Sequence, residues 1–306
     1  MRLACVALCL TLIAPGCGGP PPARPPVGGT VPVVGHVFIV VEENADYANV
    51  IGSTAMPYLN GLAARYGLAT EYYANTHPSI GNYFMMTVGK IVTNNDGFAG
   101  TVTDDNIVRH LLAAGKTWKA YAEDLPAVGY HAAGDSGKYA SRHNPLSYLS
   151  DVVNDPAQVT NLVPFSQFAA DLANNALPNY AFIVPNLCND AHDCPLATAD
   201  AWLQTNIDPL ITSPGFQQDG LLIILFDESG GDLQHGGGRI AWVVVSAKVK
   251  PGYRSAALYQ HENTLRLAAE ALGLTTFPNA AAGAANMAEF FVTPIASRAG
   301  AGAGAP

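Results

Sequence analysis

The chain has 306 residues, of which 49% are hydrophobic and 13% are charged, and its formal net charge is −9. This length and apolar content are sufficient for one large α/β domain or two small ones, each with a sizeable core. An acidic chain without a cluster of lysines and arginines argues against nucleic-acid binding, whereas an anionic substrate could still bind if a bound cation supplied local positive charge.

The first 17 residues have the pattern of an export signal. Arg2 precedes an apolar run over residues 3–14, which is too short to span a bilayer as a stable helix. The stretch that ends at Cys17 resembles a bacterial lipobox, which leaves open whether Cys17 is lipidated or the signal is simply cleaved. We therefore predict an exported bacterial protein that is periplasmic, secreted or held at the outer surface, with membrane contact only through such an N-terminal anchor.

Residues 35–292 form the predicted catalytic domain, preceded by a linker and followed by a tail. The Pro/Gly-rich linker covers residues 18–34, and the low-complexity tail, expected to be disordered, covers residues 293–306. Strand patterns occur at residues 36–41, 117–123, 180–186, 220–228 and 239–246. Helical patterns occur at residues 55–67, 80–89, 103–115 and 259–273. This alternation predicts a single α/β domain whose mostly parallel central sheet is flanked by helices, and Thr103 is the expected N-cap of its helix.

Polar side chains follow three of these apolar strands at their C-terminal ends. The three groups are residues 42–44, residues 189–193 and residues 227–228. In open α/β sheets, ligands bind outside the carboxyl ends of the strands. We therefore expect the three groups to meet at one edge of the sheet, although they are far apart in sequence.

Some of these residues carry side-chain oxygens that suit a metal ion, namely Glu43, Asn44, Asp227 and Glu228. Such a set favours one hard divalent cation, Mg²⁺, Ca²⁺ or Mn²⁺, over zinc. The alternative is that these carboxylates belong to solvated loops. Two acidic pairs, each placed directly after a strongly apolar strand, favour the metal site.

The stretch NTHPSIGNYFMM, residues 75–86, places a serine at the start of a predicted helix. A helix N-terminus offers free N–H groups and a positive dipole end, which together favour a phosphate. Ser79 could therefore act as a nucleophile on a phosphoryl group that Asn82, one turn further on, helps to hold. A serine hydroxyl needs a base or a metal for this, and the predicted cation would supply the activation. The alternative is that Ser79 is an ordinary N-cap.

The chain has eight histidines, and those in polar, turn-rich surroundings are His77, His143, His192 and His235. Asp190 and Asp193 flank His192, and such a carboxylate could orient it as the general acid for a leaving oxygen. His235 begins the stretch HGGGR, where bare backbone can approach a ligand closely. His77, His143 and Asp190 are candidate substrate-binding residues. His261 opens a helix, which indicates a capping or packing role.

The predicted domain contains two cysteines, Cys188 and Cys194, in the stretch CNDAHDC. In an oxidising compartment a disulfide between them is expected. The alternative is a zinc site with His192 between the two thiolates, but the spacing is not CxxC and no second Cys/His pair follows.

Several stretches within residues 36–274 resemble the phosphoesterase family of bacterial and fungal acid phosphatases and phosphatidylcholine-type phospholipases C. In chain order they are VEEN, NTHPSIGNY, SRHNPLSYLSDV, VPNLCNDAHDCP, DAWL, FDESGGD with HGGGRIAWVVVS, and YQHENTLRLAAEALGL. The resemblance implies an alkaline phosphatase-like fold and a metal held by Glu43, Asn44, Asp227 and Glu228. It also implies Ser79 as the phosphorylated nucleophile, Asn82 as a phosphate ligand, and a pocket lined by His77, His192 and His235.

The leading hypothesis is a secreted or surface-anchored, metal-dependent phosphomonoesterase of the acid phosphatase type, which acts on a small-molecule phosphate ester. Either His192 or His235 would protonate the leaving oxygen. One alternative keeps this machinery for a phospholipase C-type phosphodiesterase on lipid head groups. A second is a serine carboxylesterase, since HPSIG differs from G-x-S-x-G by one residue. A third is a non-catalytic surface lipoprotein that binds phosphate or glycans.

Overall fold

The computed structural model describes residues 29–292. The predicted export signal, the lipidation site at Cys17, most of the linker and the tail lie outside these residues. Residues 29–34 lead into the first strand, where Val34 is buried and its backbone N–H donates to the Ala271 carbonyl. Across residues 29–292, no helix combines the length and the apolar character needed to cross a bilayer.

Within these residues the main sheet has eight strands, in the order β10-β2-β9-β8-β1-β7-β3-β6. The strands are β1 (His36–Glu42), β2 (Gly67–Tyr72), β3 (Trp118–Ala122), β6 (Leu162–Pro164), β7 (Tyr180–Val184), β8 (Gly220–Phe226), β9 (Trp242–Val245) and β10 (Tyr253–Tyr259). Strands β4 (Asp135–Ser136) and β5 (Tyr139–Ala140) form a separate small hairpin. Within the main sheet, strand β9 is antiparallel to β2 and β8, and the other pairs are parallel. The predicted α/β class with a mostly parallel sheet is confirmed.

The α-helices are α1 (Tyr47–Val50), α2 (Pro57–Arg65), α3 (Ile80–Thr87), α4 (Ile107–Ala113), α5 (Ser150–Val153), α6 (Pro156–Val159), α7 (Ser166–Ala173), α8 (Leu196–Thr212), α9 (Pro214–Asp219) and α10 (His261–Ala271). Helix α3 packs against α10, and α2 packs against α8. Strands β7 and β8 are buried at every residue, as expected for parallel strands that are covered on both faces. Their continuous apolar runs therefore form the centre of the core.

The N-terminus of α4 differs from the sequence prediction. Its N-cap is Asn106, whose side-chain oxygen accepts from Arg109 N, and not Thr103. Thr103 lies outside the helix because the preceding residue, Val102, forms a parallel bridge with Leu149. This bridge keeps the chain extended, so the N-cap lies three residues later than predicted.

Candidate active site

The three polar groups meet at the carboxyl edge of three neighbouring strands, since β1 lies between β8 and β7. Backbone hydrogen bonds join them directly beyond the strand ends. The N–H of Glu43 donates to Asp190 O at 2.7 Å, and the N–H of Asp227 donates to Glu42 O at 2.9 Å. The expectation that these distant segments share one edge of the sheet is confirmed.

Glu43 lies at the centre of this edge and has no exposed surface. The Ser79 hydroxyl donates to its Oε2 at 3.2 Å, and the Tyr83 hydroxyl donates to its Oε1. His143 Nε2 also lies 3.2 Å from Oε1, as a close contact without the geometry of a well-directed hydrogen bond. Both oxygens of the Glu43 carboxylate are therefore fixed by side chains from other parts of the fold.

Ser79 occupies the N-cap position of α3, but its side chain forms no capping hydrogen bond. It is 3% exposed. Residues three and four positions apart share one face of a helix. Ser79, Asn82 and Tyr83 accordingly project together from the start of α3 towards the carboxylates. Although Ser79 occupies the N-cap position, its hydroxyl therefore does not serve as an ordinary capping group in this structure.

Asp227 is fully buried beside Glu43. Its Oδ1 accepts from the backbone N–H of Asn44 at 3.2 Å and from that of Glu228 at 2.6 Å. Its Oδ2 accepts no well-formed hydrogen bond from the described residues, although the Ser79 hydroxyl is close enough to favour the ionised carboxylate. A buried carboxylate oxygen without a partner needs a compensating group.

Glu228 is 6% exposed and faces Asn82 and His77. Its Oε2 accepts from Asn82 Nδ2 at 3.1 Å and lies 3.2 Å from His77 Nδ1. Burial, followed by the charge of Asp96, raises the pKa of Glu228 to about 8. The structure thus places Glu228 next to two predicted phosphate-site residues, and its role as a direct metal ligand stays a prediction.

Burial and mutual repulsion disfavour the ionised form of these carboxyl groups. Burial raises the pKa of Glu43 well above its ordinary value, and the charge of Asp227 adds to this. Burial likewise raises the pKa of Asp227, with Glu228 as the next cause. A bound cation would compensate the two buried carboxylates, including the Oδ2 of Asp227 that has no hydrogen-bond partner. Oxygen donors of this kind suit a hard cation. In residues 29–292, however, no three His, Cys, Asp or Glu side chains already form a metal-binding cage.

His143 and His192 lie on the β7 side of this edge. His143 is 1% exposed, with Nδ1 3.4 Å from Asp190 Oδ2 and its ring 5.9 Å from the His192 ring. Burial lowers the pKa of His143 well below its usual range, and it raises the pKa of Asp190 to about 7. His192 is partly exposed, and Asp193 Oδ1 lies 2.7 Å from its Nδ1. Asp193 therefore orients the His192 ring, whereas Asp190 accepts from the His192 backbone N–H.

His77 and His235 lie on the opposite side, near the loop that follows β8. His77 Nε2 is 3.0 Å from the Asp232 carbonyl, and the side chain is 25% exposed. His235 is exposed, and its ring packs edge-on against the Tyr73 ring, with 4.4 Å between the two ring centroids. Among the described residues, no hydrogen bond or ion pair joins His235 to Ser79 or Glu43, so its catalytic role stays a prediction.

Tyr83 and His261 are site residues that sequence reasoning did not assign. Tyr83 lies four residues after Ser79, and this helical spacing was a usable signal. His261 is buried, as its predicted packing role requires, and its Nε2 lies 2.7 Å from the Asp227 carbonyl. Burial lowers the pKa of His261 to about 4, so the neutral ring donates through Nε2 and supports the Asp227 backbone. No local pattern indicates this contact, which depends on the position of α10 against β8.

The two cysteines of the described residues are joined in a disulfide, Cys188–Cys194. The expected pairing is confirmed. The alternative zinc site with His192 is wrong, because the disulfide leaves no thiolate to bind a metal.

Comparison with known proteins decides the family. The Phosphoesterase family matches residues 53–275. The chain belongs to the Phosphoesterase family. It is 35% identical over 257 residues, 82% of each chain, to a phosphatidylinositol-3-phosphatase of Mycobacterium tuberculosis. It is 34% identical over 201 residues to a probable acid phosphatase of Kluyveromyces lactis, covering 63% of this chain and 47% of that one, so it spans about half of that relative.

This phosphoesterase also shares its fold with a solved protein of the alkaline phosphatase superfamily from Vibrio parahaemolyticus. The TM-score is 0.53 at 12% identity, with 82% of this chain and 69% of the other covered. The alkaline phosphatase-like fold expected from the sequence is confirmed. As a member of the family, the chain is a hydrolase acting on phosphoric ester bonds. This rules against the serine carboxylesterase and the non-catalytic lipoprotein.

Proposed function

We propose that this phosphoesterase is an exported, cation-dependent phosphomonoesterase of the acid phosphatase type that works through a phosphoserine at Ser79. The observation that carries the proposal is the hydrogen bond from the buried Ser79 hydroxyl to Glu43. The relative with 82% coverage is named for the removal of a 3-phosphate, which is a monoester, and this supports the choice of substrate class. The Cys188–Cys194 disulfide supports export, because disulfides persist in oxidising compartments.

The proposed cation ligands are Glu43, Asn44, Asp227 and Glu228. A hard divalent cation, Mg²⁺, Ca²⁺ or Mn²⁺, would supply the positive charge that an acidic site lacks towards a phosphate dianion. The orphaned Oδ2 of Asp227 and the buried carboxylate of Glu43 fit this role. The alternative of solvated carboxylates conflicts with their burial.

The chain's own residues then have distinct tasks. Ser79 Oγ attacks the phosphorus, and its proton moves towards Glu43 Oε2, the acceptor of its hydrogen bond. Asn82 and His77, which surround Glu228, are the proposed phosphate-binding residues. His143 is buried against Glu43, so we propose that it supports this carboxylate rather than contacting substrate. His192 protonates the leaving oxygen, and water then hydrolyses the phosphoserine.

The test is hydrolysis of p-nitrophenyl phosphate by the purified protein and by Ser79→Ala, with and without a chelator. We expect Ser79→Ala to lower kcat by about 10³-fold or more, because it removes the nucleophile. We expect the chelator to abolish turnover, and Mg²⁺, Mn²⁺ or Ca²⁺ to restore it. Mass spectrometry after acid quenching should find phosphate on Ser79.

The matched control is Ser147→Ala. Ser147 is also 3% exposed, but its hydroxyl donates to the Asn144 carbonyl and not to a carboxylate. Its kcat should stay within about threefold of the wild type, since no catalytic group is lost. Near-wild-type turnover by Ser79→Ala would contradict the phosphoserine mechanism.

A further inference from the structure

Helix α3 contacts the Glu43 carboxylate at two points one helical turn apart. Ser79 Oγ donates to Oε2, and the Tyr83 hydroxyl donates to Oε1. The two residues are four positions apart, so they share one face of the helix. One short helix thus presents both the proposed nucleophile and a second hydroxyl to the same carboxylate.

The Tyr83 side chain has little freedom to leave this position. It has no exposed surface. Its ring stacks on the His143 ring, with 5.1 Å between the ring centroids and 6° between the ring planes. It also meets the Phe182 ring edge-on, with the centroids 6.3 Å apart. Phe182 belongs to β7. The hydroxyl is therefore held in place by the core of the sheet.

We propose that Tyr83 is a positioning residue that fixes the Glu43 carboxylate for cation binding beside the Ser79 hydroxyl. This inference rests on the proposed function, since it requires Glu43 to be a cation ligand. Each carboxylate oxygen has more than one lone pair, so Oε1 and Oε2 can accept these hydrogen bonds and still bind a cation. Hydrogen bonds of this kind orient ligating carboxylates in metal sites generally.

The contact with His143 does not replace the hydroxyl. His143 Nε2 lies 3.2 Å from Oε1 but lacks the geometry of a directed hydrogen bond. Without the Tyr83 hydroxyl, the carboxylate keeps only the Ser79 hydrogen bond and gains rotational freedom. Cation binding would then have to restrict this motion, which weakens the affinity.

The experiment measures cation affinity directly and not through turnover. Mg²⁺, Mn²⁺ and Ca²⁺ are titrated by calorimetry into metal-stripped wild type, Tyr83→Phe and Glu43→Gln. We expect Tyr83→Phe to raise the Kd about 10- to 100-fold, as is usual when a hydrogen-bond partner of a metal ligand is lost. The thermal stabilisation given by a fixed cation concentration should fall accordingly.

The matched control is Tyr121→Phe. Tyr121 lies on β3 and is fully buried. Its hydroxyl donates to a carboxylate oxygen, Asp171 Oδ2, at 2.6 Å. Loss of this hydroxyl should lower the Tm of the metal-stripped protein but leave the cation Kd within about twofold of the wild type. The control separates a general cost of removing a buried hydroxyl from an effect on the cation.

A rescue variant tests the donor itself. Replacement of Tyr83 by 4-aminophenylalanine keeps the ring and an N–H donor, so its Kd should return to within about threefold of the wild type. If Tyr83→Phe does not fold, this variant carries the test alone, because a Kd as weak as that of Glu43→Gln would overturn the donor role.

The outcomes distinguish the inference from the function on which it rests. A wild-type Kd in folded Tyr83→Phe, together with lost binding in Glu43→Gln, overturns the role of Tyr83 and leaves the proposed cation site intact. Absence of cation binding by the wild type overturns both. Weakened binding in Tyr83→Phe, with Tyr121→Phe unchanged, supports the inference.

Discussion

A buried serine commonly satisfies its hydroxyl on a nearby backbone carbonyl, as Ser147 does with Asn144. Ser79 instead donates to a carboxylate 36 residues away in the chain. The acceptor of this hydrogen bond, Glu43 Oε2, lies 3.2 Å from the hydroxyl oxygen, within reach for a general base. The residue-level chemistry therefore favours removal of the Ser79 proton.

The leaving-group proton is a second question at the scale of single residues. We predict that His192 donates it, because Asp193 orients the ring and its neighbour His143 contacts Glu43. His192→Ala should lower kcat about 10²-fold on an alkyl phosphate such as glycerol phosphate. On p-nitrophenyl phosphate the loss should stay below about tenfold, since p-nitrophenolate leaves without a proton. The measurement is kcat on both substrates.

His235→Ala provides the comparison, because His235 is the other candidate acid. Its ring is exposed and packs on Tyr73, so we expect equal and small changes on both substrates. A loss confined to alkyl phosphates in His235→Ala, with His192→Ala unaffected, would transfer the role to His235.

At the scale of elements, the N-terminus of α4 gives a prediction for stability. Asn106 is fully buried, caps Arg109 N, and donates to Asp151 Oδ2 at 2.7 Å. Asn106→Ala should cost about 1–2 kcal/mol of unfolding free energy, from the lost cap and the lost buried hydrogen bonds. Chemical denaturation of the two proteins measures this difference.

Thr103→Ala is the control, because the sequence pattern alone favours Thr103 as the cap. Thr103 is exposed and precedes the helix, so its replacement should change the unfolding free energy by less than about 0.5 kcal/mol. A larger cost for Thr103→Ala than for Asn106→Ala would mean that the helix begins earlier in solution.

The elements that could be predicted from sequence are those with strong local signals. Strands β1 and β8 are continuous apolar runs that end in acidic residues, so both the strands and the metal-site candidates were recognisable. Helix α8 was not, because it begins after Pro195 without a side-chain cap and contains Pro209, which normally ends a helix. Strand β10 lies at the sheet edge with a mixed burial pattern and gave no clear periodicity.

Contacts between distant elements could not be predicted in the same way. The link from His261 to the Asp227 carbonyl requires the position of α10 relative to β8, and two other strands lie between β8 and β10 in the sheet. The direction of the Tyr83 hydroxyl likewise depends on its stacking against His143. Periodicity reports which face of an element is buried, but not which partner it meets.

At the scale of the whole molecule, several carboxyl groups of this acidic chain are buried together at one sheet edge. Glu42 is the last residue of β1 and Glu43 follows it, and both side chains are fully buried. Burial, followed by the charges of Asp190 and Asp200, raises the pKa of Glu42 well above its ordinary value. The fold therefore holds protons at this edge in the absence of a compensating cation.

This proton binding predicts how cation stabilisation depends on pH. In the metal-free protein, folding raises the pKa of Asp190 from 3.8 to about 7 and that of Glu228 from 4.5 to about 8. Between about pH 4 and pH 8 the folded state thus binds more protons than the unfolded state, and its stability falls as the pH rises. A cation held by Glu228 and the neighbouring proposed ligands would replace bound protons, so its stabilising effect should grow over the same window. Saturating Mg²⁺ or Mn²⁺ should raise the Tm of the metal-stripped protein by about 5 °C or more at pH 8, and by less than about 2 °C at pH 5.

The control is Glu43→Gln, in which this difference between the two pH values should disappear. An equal Tm increase at both pH values in the wild type would show that the cation does not bind at these carboxylates.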